Sequence, residues 1–296
     1  MTSPYLQELA DGVWAYIQPD GSWMINNVGL IGGPEGATSV DVTSTERRMK
    51  NYLDAAAKVA APITRVIYTH AHPDHSNGAS LLPDAEILAH ASVTKELQHT
   101  PPPASHIFTP FVQGEVSARL PTREFADAVE LTIGDRRIDV RHPARPSHTR
   151  GDAYVWLPDE RILFTGDLVF NGGTPFALSG SPSGWLETLD ELAALQPTTI
   201  VPGHGPVGGV EILEPVARYL RFVIAAAHDA HNRDLIPLDA ARGLDLGEFA
   251  GWLDSERIVG NVHRAIAELD DRQPDFAAAW QDMYDYNGSR PLDCHA

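Results

Sequence analysis

Arg65-Val66-Ile67-Tyr68-Thr69-His70-Ala71-His72-Pro73-Asp74-His75 sets four metal-competent side chains directly behind an apolar run. The first five residues read as a buried strand. The last six follow the order His-x-His-x-Asp-His. Imidazole and carboxylate suit zinc, iron or manganese, and ligands bunched this way favour a metal held at a strand end. On extended backbone His70 and His72 would point the same way. Asp74 and His75 then fall on a turning loop, where they can aim at a second ion. A solvated loop with chance histidines is the plain alternative, and three downstream residues weigh against it.

His148 lies in Pro146-Ser-His-Thr-Arg-Gly-Asp152, Asp167 in Phe164-Thr-Gly-Asp-Leu168 and His204 in Val201-Pro-Gly-His-Gly205. Each is expected on a Gly- or Pro-marked loop at a strand exit, where rigid strands fix the loop ends. His70, His72 and His148 are assigned to one ion. Asp74, His75 and His204 are assigned to the other, with Asp167 spanning both through its two oxygens. A two-metal centre needs ions roughly 3.5–4 Å apart around a shared water. A single structural ion would close on four ligands and leave three polar side chains idle.

Around these residues the chain reads as strands with interspersed helices up to residue 209. Val13–Ile17, Asn27–Ile31, Thr38–Val42, Thr64–Tyr68 and Ala85–Ala89 are short and largely apolar. Thr43 or Ser44 is expected to cap a helix running to about Ala60. Leu131–Ile133 with Arg136–Arg141, and Tyr154–Trp156 with Arg161–Phe164, read as hairpins. Trp185–Ala194 reads as a helix and Thr199–Val201 as a last core strand. Most strands look antiparallel, and two sheets face to face with helices outside are expected, an α+β fold of four αββα layers. Residues 100–123 are Pro-rich and irregular. Beyond Gly209 the periodicity turns helical over Glu214–His231, Ile258–Leu269 and Phe276–Tyr286. The expected division is residues 1–209 as the hydrolase domain and 210–296 as a helical C-terminal extension.

The ordered set His70, His72, Asp74, His75, His148, Asp167 and His204 resembles the metallo-β-lactamase fold superfamily of metallohydrolases. The resemblance covers about residues 10–209. It implies the αββα sandwich with two divalent ions, most naturally zinc, in a cleft at one edge of the sheets; iron or manganese are alternatives. Asp167 and the absence of a cysteine ligand depart from the true class B β-lactamases. The chain is more similar to the lactonase, glyoxalase II and arylsulfatase-like branches. Asn171-Gly-Gly-Thr-Pro175 stands where glyoxalase II has Gly-Gly-Cys-Gly-Arg, and no glutathione-binding pattern is recognisable. Diiron flavoproteins carry a glutamate where His72 stands.

The implied activity is hydrolysis of a small ester, lactone, thioester or related acyl compound by a hydroxide shared between the two ions. Asp74 would orient the nucleophile or pass a proton, besides serving as a ligand. A persulfide dioxygenase using one iron on His70, His148 and Asp167, or a β-lactam hydrolase, are the competing activities. Asp152, Thr149 and Ser76 are candidates to brace the ligands, although Gly151-Asp152 reads equally as a turn. Phe108, Phe111, Phe170 and Phe176 either line an apolar pocket or anchor loops. Trp280 and Tyr284 are expected to pack the extension onto the sandwich. His228 and His231 share a helix face as a surface pair or pocket lining.

The 296 residues carry 40 acidic and 22 basic side chains, a formal charge of −18. That field repels nucleic acid and anionic membranes, leaving a small molecule as the expected partner. A homo-oligomer stays open. The first residues show neither a basic nor an apolar leader segment, and no apolar run reaches the roughly 20 residues of a membrane span. A cytoplasmic setting is expected. Cys294, the lone cysteine, is expected to be a surface thiol.

Overall fold

The computed structural model describes residues 3–296. Seven strands form one sheet in sequential order: β1 Tyr5–Ala10, β2 Val13–Ile17, β3 Val28–Ile31, β4 Ala37–Val40, β5 Ile63–Ile67, β6 Glu86–His90 and β7 Arg123–Phe125. Five form the other: β8 Ala128–Ile133, β9 Arg136–Arg141, β10 Tyr154–Leu157, β11 Ile162–Phe170 and β12 Thr199–His204, with β12 at one edge and β8 at the other. Pairing is antiparallel from β1 to β4, then parallel from β4 to β7. The expectation of mostly antiparallel strands therefore fails in half of the first sheet. There the crossovers carry α1 Glu46–Ala56, the one-turn α2 Pro73–Ser76 and α3 Ala91–His99, the long connections that parallel pairing demands.

Alternation along the strands assigns the layers. Ile67 and Leu88 meet Val140, Val155 and Phe164 in the core between the sheets. Their neighbours Val66, Tyr68 and Ile87 face outward against Met49 and Tyr52 of α1 and Val93 of α3. On the second sheet Tyr154, Trp156 and Leu163 pack outward against Trp185 and Leu189 of α4, Pro182–Ala194, and against Val216 and Leu220 of α5, Leu213–Asn232. The result is the four-layer αββα sandwich. Helices α6 Pro237–Arg242, α7 Arg257–Leu269 and α8 Phe276–Tyr286 build a further core with Trp23, Ile107 and Phe176. No helix among the described residues is long and apolar enough to cross a membrane.

Several local expectations change. Thr45 caps α1, accepting from Arg48 N, and the helix ends at Ala56 instead of Ala60. β11 does not stop at Phe164: Gly166 takes φ +50 and its pairing with β12 shifts register there. A glycine bulge lets the strand bend and continue. β1, β7 and α6 lie where no regular element was expected; β7 closes the irregular 100–123 stretch. Cys294 is buried, its thiol 3.9 Å from the Trp23 carbonyl, so it is no surface thiol. The tail carrying it pairs with the Pro-rich segment: Leu292 N donates to Ile107 O and Thr109 N to Leu292 O.

Candidate metal centre

The strand ends assemble the seven residues at one edge of the sandwich. His70 and His72 follow β5 on a bend, while Asp74 and His75 sit in the one-turn helix α2, Pro73–Ser76. A turning loop was expected there; Pro73 at its first position presets a helical φ. Ser76 Oγ donates to the carbonyls of Ala71 and His72, fastening that turn. His148 lies on the β9–β10 connection. Asp167 lies inside β11 and His204 is the last residue of β12; both were expected on loops past a strand.

Two groups form. His70, His72, His148 and Asp167 offer ligand atoms within 4.8 Å of one another, and so do Asp74, His75 and His204. In the first, His72 Nδ1 lies 3.1 Å from His70 Nε2 and 2.9 Å from His148 Nε2. Asp167 Oδ2 lies 3.4 Å from His148 Nε2 and 3.9 Å from His70 Nε2. Its other oxygen, Oδ1, turns to the second group, 3.0 Å from His75 Nε2 and 3.3 Å from His204 Nε2. Asp74 Oδ2 stands 3.3 Å from His204 Nε2 and 3.6 Å from His75 Nε2.

The outer nitrogens decide which inner atoms are bare. His148 Nδ1 donates to the Phe176 carbonyl at 2.6 Å and His204 Nδ1 to the Gly21 carbonyl at 3.1 Å. Each Nδ1 therefore carries a proton, and in the neutral ring Nε2 is a lone pair aimed inward. His75 Nδ1 donates to Asp41 Oδ2 at 2.8 Å. His70 Nδ1 lies 3.1 Å from Thr69 Oγ1, which itself donates to Asp41 Oδ2 at 2.7 Å. Lone pairs and carboxylate oxygens converge with few protons between them. His75 Nε2 and Asp167 Oδ1 are buried with no hydrogen-bond partner. Such orphaned inward atoms need a cation, so the residues present fit divalent metal.

The electrostatics agree. Burial pushes His148 down to about 3 and His70 well below the usual imidazole range, so both are neutral ligand-ready rings. Burial also opposes charge on His204 and His75. The carboxylates outweigh it, Asp167 foremost, raising His204 to about 9 and His75 well above its ordinary value. The second group thus sits in a field that favours positive charge.

Asp41 is the functional residue that the sequence reading absorbed into a strand. Its signal was a carboxylate inside the apolar run Ser39-Val-Asp-Val42, and it is 2% exposed. Asp152 accepts from Thr149 N and Oγ1, three residues back, and from no imidazole, so it closes a turn and does not brace a metal ligand. Phe170 stacks on His204, centroids 5.1 Å apart, and Trp185 meets His148 edge-on. Phe108 and Phe176 instead join Trp23 and Trp280, while Tyr284 packs on His106. His231 pairs with Asp270 at the surface. A cavity of about 540 Å³ lies beside the Gly21 turn, between Asp20, Ser22 and residues 252–256, with Asn287, Asp293 and His295 closing it.

The profile described as the metallo-beta-lactamase superfamily matches residues 21–204. The chain belongs to the metallo-β-lactamase superfamily. A linear primary-alkylsulfatase of Pseudomonas sp. is 27% identical over 287 residues, 81% of this chain and 54% of that protein. An acyl-coenzyme A thioesterase of Homo sapiens is 31% identical over 217 residues, 63% of this chain and 75% of that protein. A hydroxyacylglutathione hydrolase of Synechococcus sp. is 28% identical over 180 residues, 60% and 62% of the two. The chain spans about half the length of the alkylsulfatase and of a 2,4-dinitroanisole O-demethylase subunit alpha from Nocardioides sp.. Among solved structures, a metallo-beta-lactamase from Pontibacter korlensis aligns with TM-score 0.61 at 18% identity, over 74% of this chain and 99% of that one; that likeness speaks for the fold alone.

Proposed function

We propose that this chain is a binuclear zinc hydrolase of a small ester, lactone, thioester or related acyl compound. The observation that carries the reading is the split of Asp167, whose two oxygens face different histidine groups. His70, His72 and His148 would hold one ion and Asp74, His75 and His204 the other, with Asp167 between. Two such ions supply a water acidified toward neutral pH and positive charge for a developing oxyanion. Asp74, 6% exposed, is the ligand placed to accept a proton from the attacking water or pass it to the leaving group. Phe170 and Trp185 exclude bulk water from one flank. A single-iron oxygenase on His70, His148 and Asp167 would leave His75 Nε2 buried and unpartnered, so the assembled second group favours two ions.

The cavity beside the Gly21 turn carries Asp20, Asp254, Glu256 and Asp293 on its walls. If the leaving portion of the substrate lies there, these carboxylates repel a polyanionic carrier such as coenzyme A and favour a neutral or cationic group. The reading includes the division into a hydrolase domain over 1–209 and a helical extension over 210–296. The matched profile ends at residue 204, just short of that boundary. It also includes a cytoplasmic setting, where Cys294 stays a reduced, buried thiol. The test is a panel of neutral esters, lactones and thioesters, with coenzyme A thioesters alongside, assayed with zinc-loaded and chelator-stripped protein. Zinc-dependent turnover of a neutral acyl substrate is expected. Equal turnover before and after stripping would refute the reading.

A further inference from the structure

The link between β11 and α4 joins the two histidine groups. At its start Asn171 N donates to the His204 carbonyl at 2.9 Å. Further on, the Phe176 carbonyl takes the His148 proton. Between these points the link has no sheet of its own. It is gripped by the segment leading into α7 and by α7 itself. Leu253 N donates to Gly172 O and Thr174 N to Leu253 O. Arg257, 2% exposed, donates from Nη1 to the Thr174 carbonyl at 2.9 Å, with its guanidinium 3.9 Å over the Trp23 ring and Nη2 held by Asp254 at 2.8 Å. One turn on, Asn261 is fully buried. Its Nδ2 donates to the Pro175 carbonyl at 2.8 Å and to Tyr219 Oη at 2.9 Å, and its Oδ1 accepts from Ala177 N at 2.6 Å. Gly260 lies against the Phe176 ring, where a Cβ would come within 2.8 Å of Cε2.

Asn261 therefore holds the peptide groups on both sides of Phe176, and the carbonyl of the second of them, Phe176 O, aims the His148 ring. We propose that Asn261 and Arg257 are positioning residues for the metal ligand His148, so that the helical extension sets the geometry of the first metal group. This rests on the metal-centre reading above. Neither side chain touches the reacting atoms. A buried amide spent wholly on backbone groups and one hydroxyl fixes a segment to one conformation, because any displacement orphans several polar atoms at once. Partners that orient a ligating histidine commonly change metal affinity 10–100-fold when removed.

The test compares Asn261→Ala with Val262→Ala, a neighbouring buried residue that makes none of these hydrogen bonds. Two readouts are taken on full-length protein: stepwise zinc binding to the stripped chain by calorimetry, and the imidazole Nδ1–H resonance of His148 in the nitrogen-15 spectrum of the stripped chain. Asn261→Ala is expected to weaken one of the two zinc-binding steps by 10–100-fold and to shift or broaden the His148 signal. Val262→Ala should lower the melting temperature with neither change. Unaltered zinc steps and an unaltered His148 resonance in Asn261→Ala overturn the inference while leaving the metal centre intact. Wild-type protein that binds no zinc overturns the underlying reading and the inference with it. Should Asn261→Ala not fold, Gly260→Ala, which pushes on Phe176 without deleting a hydrogen bond, is read by the same two outcomes.

Discussion

Asp41 Oδ2 sits 2.8 Å from His75 Nδ1 and 2.7 Å from Thr69 Oγ1, which in turn lies 3.1 Å from His70 Nδ1. One carboxylate oxygen thereby orients a histidine in each metal group. Asp41 Oδ1 accepts from Thr69 N at 2.7 Å, so the carboxylate cannot rotate away. Asp41→Asn keeps the volume but weakens the acceptor that His75 uses directly and His70 reaches through Thr69. We predict a 10–100-fold loss of zinc affinity with the fold retained. Calorimetry on the stripped variant measures it, and wild-type affinity would remove Asp41 from the account.

Gly203 lies directly behind Asp167. A Cβ there would overlap the Asp167 carboxylate and approach the Gly166 carbonyl carbon to 2.7 Å. Since Asp167 faces both groups, Gly203→Ala should lower the zinc content at both steps and reduce turnover more than tenfold. Overpacking of this kind costs roughly 1–3 kcal/mol of stability. Elemental analysis and a thermal melt test it together; full zinc content in a folded variant counts against the bridging role of Asp167.

His72 offers Nδ1 while His70 and His148 offer Nε2, and it lies between them. His72→Ala should abolish turnover and lower the metal-to-protein ratio. Retained turnover at the wild-type rate refutes the assignment of the first group.

Glu96 accepts from Arg150 N on the loop that carries His148. Burial, then the charge of Asp152, pushes its carboxyl up from 4.5 to about 7. Between those values the folded state binds more protons than the unfolded one, so stability falls as pH rises from about 4.5 to 7 and the penalty persists above. Glu96→Gln removes it. The variant should lose less stability than the wild type between pH 5 and pH 8, by on the order of 1–3 kcal/mol. Denaturant titrations at both values check this; parallel pH slopes contradict it.

The ligand set was legible because it consists of residue types that are costly to bury unless something employs them. The fold followed from that set through family resemblance, since periodicity alone gave strands without their order. What escaped was carried by backbone. Gly166 reads as a strand end but makes a bulge, because a positive φ is invisible in residue identity. The Phe176 and Gly21 carbonyls that orient His148 and His204 could come from any residue. Asp41 was visible as a carboxylate in an apolar run, yet its partner His75 lies 34 residues away. Cys294 looked exposed because its burial comes from the Pro-rich segment that the tail pairs with.

The central claim is that seven side chains hold two divalent cations that hydrolysis requires. Metal content by elemental analysis of purified protein, taken with hydrolysis of a neutral acyl ester before and after exhaustive chelation, addresses it most directly. We expect two equivalents of zinc per chain, activity lost on chelation and regained on zinc addition. A fully active preparation free of transition metal would contradict the account.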